Sequence, residues 1–474
     1  MPQSPELDAD FTRESLLEQV NLDAPEGGKI KFLECLPFGK ALTVDRYQLA
    51  NGLMLLLIED HEAPVVAYHT WFNVGSRHEQ VGKTGLSHLF EHLMFNESEN
   101  LPAGEFDRKM EEAGAEVNAS TWLDWTQYSS SLPKGQLLTA IPLEAERMAH
   151  LVLKPPQLNS EKEVVANERR FRVEDDVDGA VNELLWATAF TEHAYRWPTI
   201  GWMADIEGFT TEDCLGFYRT YYAPNNATLV VAGDIEPIVV LRAISQNYGP
   251  MPRAVLPLED VRPEPPQTSE RRISVEKPTQ TEKLVLGYKS PAFGDFDYPA
   301  LSLLGEVLAG GRASRLYRRL VRELELASEV RISVGPFRDP SLFELYVSAR
   351  EGHTAEELLA VVEEELLRVR EQPVAQEEMD RALARNELSL LASLETADGK
   401  ASTLGFYETV LGQPTSAFER LAMERKVSSS DLRRVARRYL VDTQRTVVLV
   451  RVKDDDDDDD LEPNSSSDSD VEAA

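Results

Sequence analysis

Residues 88–92 read His-Leu-Phe-Glu-His, and this stretch constrains the chain more than any other. On a helix, positions i, i+3 and i+4 share a face, so His88, Glu91 and His92 point the same way. Two imidazoles one turn apart grip a divalent ion, and a carboxylate beside them takes a proton from water that the ion acidifies. The flanking run from Gly85 to Phe95 is apolar on its other sides, which predicts a buried helix. Polar groups buried without partners cost roughly 2–7 kcal/mol each, and a metal ion supplies the missing partner. The competing reading is a helix that carries two histidines by accident; the apolar surroundings weigh against it.

Catalytic zinc takes three protein ligands and keeps one position open. Glu168 is the candidate third ligand. It lies in a segment where Ser160 and Glu163 form a capping-box pattern, predicting a helix over 160–175. Glu161 and Glu168 are two turns apart on one face, so one can bind metal while the other orients from behind. On its own the segment reads as an ordinary charged helix, for which solvation is the usual fate.

The motif and its spacing resemble the pitrilysin/insulinase-type inverzincin metallopeptidases, which include the mitochondrial processing peptidase and small bacterial peptidases. In that family a Glu follows the His-x-x-Glu-His pattern by about 75 residues. Here 75 residues separate His92 from Glu168, and Glu161 stands seven before it. Further similar stretches are Asn118 to Thr121, Asp124 to Tyr128, His193 to Gly201 and Phe217 to Thr228. The resemblance implies Zn2+ held by His88, His92 and Glu168, Glu91 as general base, and Glu161 behind the ligands. It implies a peptide substrate lying along a sheet edge that carries Asn118 and Ala119. On sequence alone Asn118 reads equally as a turn residue. The implied fold is α+β, with two duplicated domains, each a mixed, mainly antiparallel sheet packed with helices.

The second half departs from the family's pattern. The family's second active-site element is an Arg and a Tyr seven apart that bind the substrate carbonyl. Here Arg322 is in place, but Ser328 stands near the expected Tyr and the spacing is one short. In two-subunit members one chain holds zinc while a homologous one supplies the Arg/Tyr pair. Ser328 reads either as simple drift that leaves a poor enzyme or, the favoured reading, as the mark of the zinc-bearing subunit of a two-subunit endopeptidase, with a homodimer as the other arrangement. A non-catalytic scaffold or assembly subunit is the alternative function; the complete metal set favours the enzyme.

The net charge is −33, and residues after Lys453 supply 11 of the 82 acids and no base. The rest of the chain is still at −22, which argues against nucleic acid and anionic membranes as partners. Cys35 and Cys214 are too few for a disulfide framework, no run of 18 apolar residues occurs, and the N-terminus is acidic. The expected compartment is the cytoplasm. The expected organisation is an acidic lead over 1–40, a metal-binding domain over 41–250, and a proline-rich linker over 251–271. A second homologous domain over 272–453 and a disordered acidic tail over 454–474 complete it. Residues 219–231 and 437–449 align at an offset of 218, which supports duplication. His61, His69, His78, His150, His193 and His353 lack metal-like spacing and read as structural or surface histidines.

Overall fold

The computed structural model describes residues 5–259 and 262–453. The acidic tail expected at 454–474 lies outside them. Twelve strands form two sheets. The first holds β1 (Ile30–Phe38), β2 (Leu42–Leu49), β3 (Met54–Glu59), β4 (Val65–Phe72), β5 (Glu116–Thr121), β6 (Thr126–Pro133) and β7 (Ala227–Gly233). Their order is β1-β2-β3-β7-β4-β6-β5. The second holds β8 (Arg271–Lys277), β9 (Lys283–Lys289), β10 (Ala327–Val334), β11 (Leu342–Ala349) and β12 (Arg445–Val452), in the order β10-β11-β9-β12-β8.

The two sheets repeat one plan. In the first, β3 runs parallel to β7, while β7, β4, β6 and β5 pair antiparallel. In the second, β8 runs parallel to β12, while β12, β9, β11 and β10 pair antiparallel. The offset of 218 holds element by element. Helix Thr211–Tyr221, a 3-10 turn Pro224–Asn226 and β7 correspond to helix Ser429–Tyr439, a 3-10 turn Asp442–Gln444 and β12. Even the capping boxes match, Thr210 with Asp213 and Ser428 with Asp431.

Four helices matter most for the metal centre and for the junction between the halves: α1 (Leu86–Leu93), α2 (Pro155–Arg169), α3 (Val177–Ala189) and α4 (Ala397–Leu411). The last two exchange partners. Although α3 follows α2 in the first half, it packs on β9 and β12 of the second sheet. Val181, Leu185 and Ala189 are buried there with Val285, Leu342, Val448 and Val450. Conversely α4 lies on β4 and β7, burying Ala401 and Leu404 with Ala67, Trp71, Val230 and Ala232. Gly405 makes this approach possible, since a Cβ there would sit 2.0 Å from Trp71 Nε1.

Both exchanging helices begin the same way. Gly179 N donates to the Asp176 carboxylate at 2.6 Å, and Gly399 N to the Thr396 hydroxyl at 3.0 Å. A side chain at either glycine would strike a carbonyl of the preceding turn, Arg172 O or Ser393 O. The aspartate before each glycine then reaches the opposite sheet. Asp178 pairs with Lys283 and accepts from Tyr346; Asp398 pairs with His69.

Two expectations need correction. The stretch expected to be an acidic lead contains a helix, Pro5–Leu22, and all of β1. A register shift between Phe32 and Glu34 breaks β1's alternation, and a bulge of this kind hides the two-residue period. Helix α2 begins at Pro155, not at Ser160. Its entry uses Pro155 and Pro156 at the first helical positions, where the missing N–H costs nothing, so the Ser160/Glu163 pattern falls inside the helix. The described part of the proline-rich stretch, 252–259 and 262–269, contains no helix or strand. No helix among the described residues is long and apolar enough to cross a membrane.

Candidate metal centre

Helix α1 leaves a tight turn at Gly85, whose φ of +94° suits glycine. Gly85 offers no side chain to cap the helix, and the buried Glu79 takes that role. Its two oxygens accept from Gly85 N and Ser87 N, both at 2.7 Å. Burial pushes the Glu79 carboxyl up to about 8, with these two N–H donors working against that rise. At the other end of the helix, Tyr128 donates to Phe90 O at 2.8 Å. The helix is thus held at both ends before any metal is considered. Glu79 escaped the sequence reading; an acid shortly before a helix that opens on glycine was the available signal.

His88 is buried, and His92 and Glu91 are partly so. Across from them, α2 presents Glu161 and Glu168. Glu168 Oε2 lies 3.6 Å from His88 Nε2 and 3.2 Å from His92 Nε2. Ligand atoms of His88, His92 and Glu168 all fall within 4.8 Å of one another, and this trio is the group that meets that test among the described residues. Tetrahedral zinc with bonds of about 2.0–2.2 Å sets its ligand atoms roughly 3.4 Å apart. The donor set, two imidazoles and a carboxylate at these separations, fits the ion.

The second layer also fits. His92 Nδ1 faces Glu161 Oε2 at 3.7 Å, and Asn96 donates to Glu161 Oε1 at 3.0 Å. Arg172 holds the other Glu168 oxygen at 3.0 Å. His88 Nδ1 is buried with no partner. Burial pushes His88 down to about 4, so it is neutral near pH 7, the form a metal binds. Burial works against charge on His92 too, but the Glu168, Glu91 and Glu161 carboxylates outweigh it and raise that ring. Glu91 is raised chiefly by burial. It lies beside Thr121 at the end of β5.

β5 is an edge of the first sheet, paired with β6 alone among the described residues. Asn118 and Ala119 both sit on it, opposite Ser129 and Tyr128. Asn118 is a strand residue here, not a turn residue. The Ala119 N–H donates to Asn118 Oδ1 at 2.9 Å, so a side chain occupies a donor of the edge. Arg322 belongs to a π-helical turn, Tyr317–Glu323, and Ser328 is the second residue of β10 on the second sheet. A cavity of about 540 Å³ lies elsewhere, lined by Arg77, His78, Glu79, Trp197 and Glu259 among others. None of His88, His92 and Glu168 lines it, and Arg77 at its wall is already paired with Asp339, Glu259 and Asp124. His69 and His193 are structural, bound to Asp398 and Asp339.

Comparison with known proteins gives a consistent picture. The family model "Insulinase (Peptidase family M16)" matches residues 54–201, and "Peptidase M16 inactive domain" matches residues 208–386. The zinc protease PqqE of Helicobacter pylori is 32% identical over 85% of this chain and 91% of its own. An uncharacterised zinc protease of Bacillus subtilis, YmxG, is 25% identical over 78% of this chain and 89% of its own. Among solved structures, a protease from Helicobacter pylori superposes with a TM-score of 0.83 at 30% identity, covering 86% of this chain and 99% of that one.

Proposed function

The chain belongs to the insulinase-type M16 peptidase family, and from that premise we propose that it is a zinc-dependent endopeptidase cleaving peptides or unfolded segments. The observation that carries this is the convergence of His88, His92 and Glu168 with Glu91 one turn inside the same helix. These three residues would hold the ion, which when bound supplies Lewis acidity to a water and to the scissile carbonyl. Glu91 takes the proton of the attacking water on a carboxylate oxygen and returns it to the leaving amine nitrogen. Its raised proton affinity makes it the stronger base for that task. Glu161 orients His92 through Nδ1, and Arg172 fixes which Glu168 oxygen faces the imidazoles.

The substrate adds as an extended strand along β5, bonding through its backbone. To do so it displaces the Asn118 side chain from the Ala119 N–H. The edge leads to Thr121, beside Glu91, which brings a backbone carbonyl of the added strand to the base.

The same reading makes this chain the zinc-bearing subunit of a pair, because Ser328 lacks the phenol expected near Arg322. A homologous subunit supplies the Arg/Tyr element, and a second copy of this chain is the other arrangement. The missing phenol is also the observation that favours a non-catalytic assembly subunit. The cysteines, free in the described structure, support a reducing compartment, the cytoplasm. Zinc content and cleavage of a quenched peptide library, with and without the product of a neighbouring related gene, test the set. The expected result is about one zinc per chain, with activity alone roughly 10²–10³ below that of the pair. Zinc-free chain sinks the metal reading; zinc without cleavage under either condition leaves the scaffold.

A further inference from the structure

The three metal-binding side chains come from two helices packed on each other in the first core, with Val165 and Ala166 of α2 buried alongside Leu89 and Phe90 of α1. His88 and His92 sit on α1, against the first sheet. Glu168 sits near the end of α2, which passes through a π-helical turn, Arg170–Glu174, into α3 on the second sheet. The last turn of α2, which carries Glu168, is therefore held on one side by that core and on the other by the turn that leads to the second sheet. We infer that Arg169 is the positioning residue that fixes Glu168 at this joint. This rests on the zinc reading of the site.

Arg169 follows Glu168 directly and is 6% exposed. Its fork is bidentate on Glu183 of α3, Nη1 to Oε2 at 2.7 Å and Nη2 to Oε1 at 3.0 Å. Nη1 also donates to Gly201 O at 2.8 Å. Nε faces Glu174, the last residue of the π turn, at 3.7 Å. The guanidinium lies over Trp202, 5.6 Å from the ring centroid. Gly201, at φ +87°, in turn presses on the start of α1: a Cβ there would lie 2.3 Å from Thr84 O and 2.6 Å from Gly85 Cα. One side chain thus ties together the end of α2, the π turn, α3 and the loop seated on the first turn of α1. Lysine carries the charge but lacks the planar fork that reaches these acceptors together. Metal sites tolerate only about 0.2 Å of ligand displacement, so loosening this joint is felt at Glu168 without touching it.

The test uses the full chain freed of metal, with zinc affinity read by competition against a chromophoric chelator. Parent, Arg169→Lys, Glu183→Gln and the double variant are compared, each checked for folding by circular dichroism and thermal midpoint. Each single change is expected to weaken zinc about 10–100-fold, as loss of an outer-layer partner does. The double variant should match the weaker single within about threefold, because both remove one joint. A purely structural role would lower the thermal midpoint and leave affinity intact. Folded single variants within about twofold of the parent, or a double variant showing the product of both losses, overturn the inference. A parent that takes up no zinc overturns the zinc reading as well, which separates the two failures. Should Arg169→Lys fail to fold, Glu183→Gln decides by itself.

Discussion

At the scale of single residues the candidate centre separates roles that share one face of one helix. Glu91 has no ligand atom in the His88, His92 and Glu168 cluster. Glu91→Gln is expected to keep about one zinc per chain and lose on the order of 10²–10⁴ in turnover. Elemental analysis together with peptide cleavage checks it, and normal turnover in that variant would remove Glu91 from the mechanism. Glu168→Gln should do the reverse and lower bound zinc first. Asn118 gives a third, finer distinction. Its side chain covers an edge donor that an added strand needs, so Asn118→Ala frees that donor in advance. The expected outcome is a lower KM with kcat unchanged, by an amount near one hydrogen bond, about 0.5–1.5 kcal/mol. A raised KM would instead mean that Asn118 itself holds the substrate.

At the scale of elements the docking of α3 on the second sheet contains a titratable group. Glu344 on β11 accepts from Asn182 of α3 at 3.0 Å, with Trp186 of α3 and Arg331 of β10 also facing it. Burial pushes Glu344 up to about 7 against those favourable partners. In the unfolded chain it titrates at about 4.3. Between those values the folded state holds a proton that the unfolded state has released. Its contribution is therefore complete below about pH 4.3 and is lost as pH rises through 7, with a slope of up to about 1.4 kcal/mol per pH unit. Urea unfolding at pH 5.5 and 8 should show Glu344→Gln gaining on the parent at the higher pH; equal differences at both would sink the assignment. Elements with a local signal were legible in the sequence. The Asn51-Gly52 turn between β2 and β3 and the strand β4 follow from turn chemistry and β-branched runs, and both formed. The approach of Glu168 to the imidazoles required the family's spacing, since nothing local distinguishes it from other exposed helix acids. The bulge in β1 was hidden by its broken period, and the capping by Glu79 because the cap comes from six residues before the helix's first turn rather than from the usual position beside it. The crossing of α3 and α4 was invisible too: an amphipathic helix states that it needs a sheet, not which one.

At the scale of the whole molecule that crossing has a thermodynamic consequence. Each half covers one face of its own sheet and relies on the other half for the opposite face. Without α3, Val285, Leu342, Val448 and Val450 lose their cover. Four buried aliphatic side chains at about 1.5–3 kcal/mol each amount to roughly 6–12 kcal/mol. That matches the entire net stability of a typical domain, about 5–15 kcal/mol. The first sheet likewise loses cover at Ala67, Trp71, Val230 and Ala232 without α4. Chemical unfolding of the intact chain should therefore be one transition, with tryptophan fluorescence and far-UV circular dichroism coincident. A fragment spanning 262–453 is expected to be expanded and to bind hydrophobic dye, and coexpression with a fragment spanning 5–259 should restore a compact complex. Asp178→Ala and Asp398→Ala remove matching anchors of the two exchanged helices, so each should lower the midpoint of that single transition without splitting it. A sharp, cooperative transition from the isolated 262–453 fragment would show that the second sheet does not need α3, and the mutual cover argued from the exchanged helices would fall.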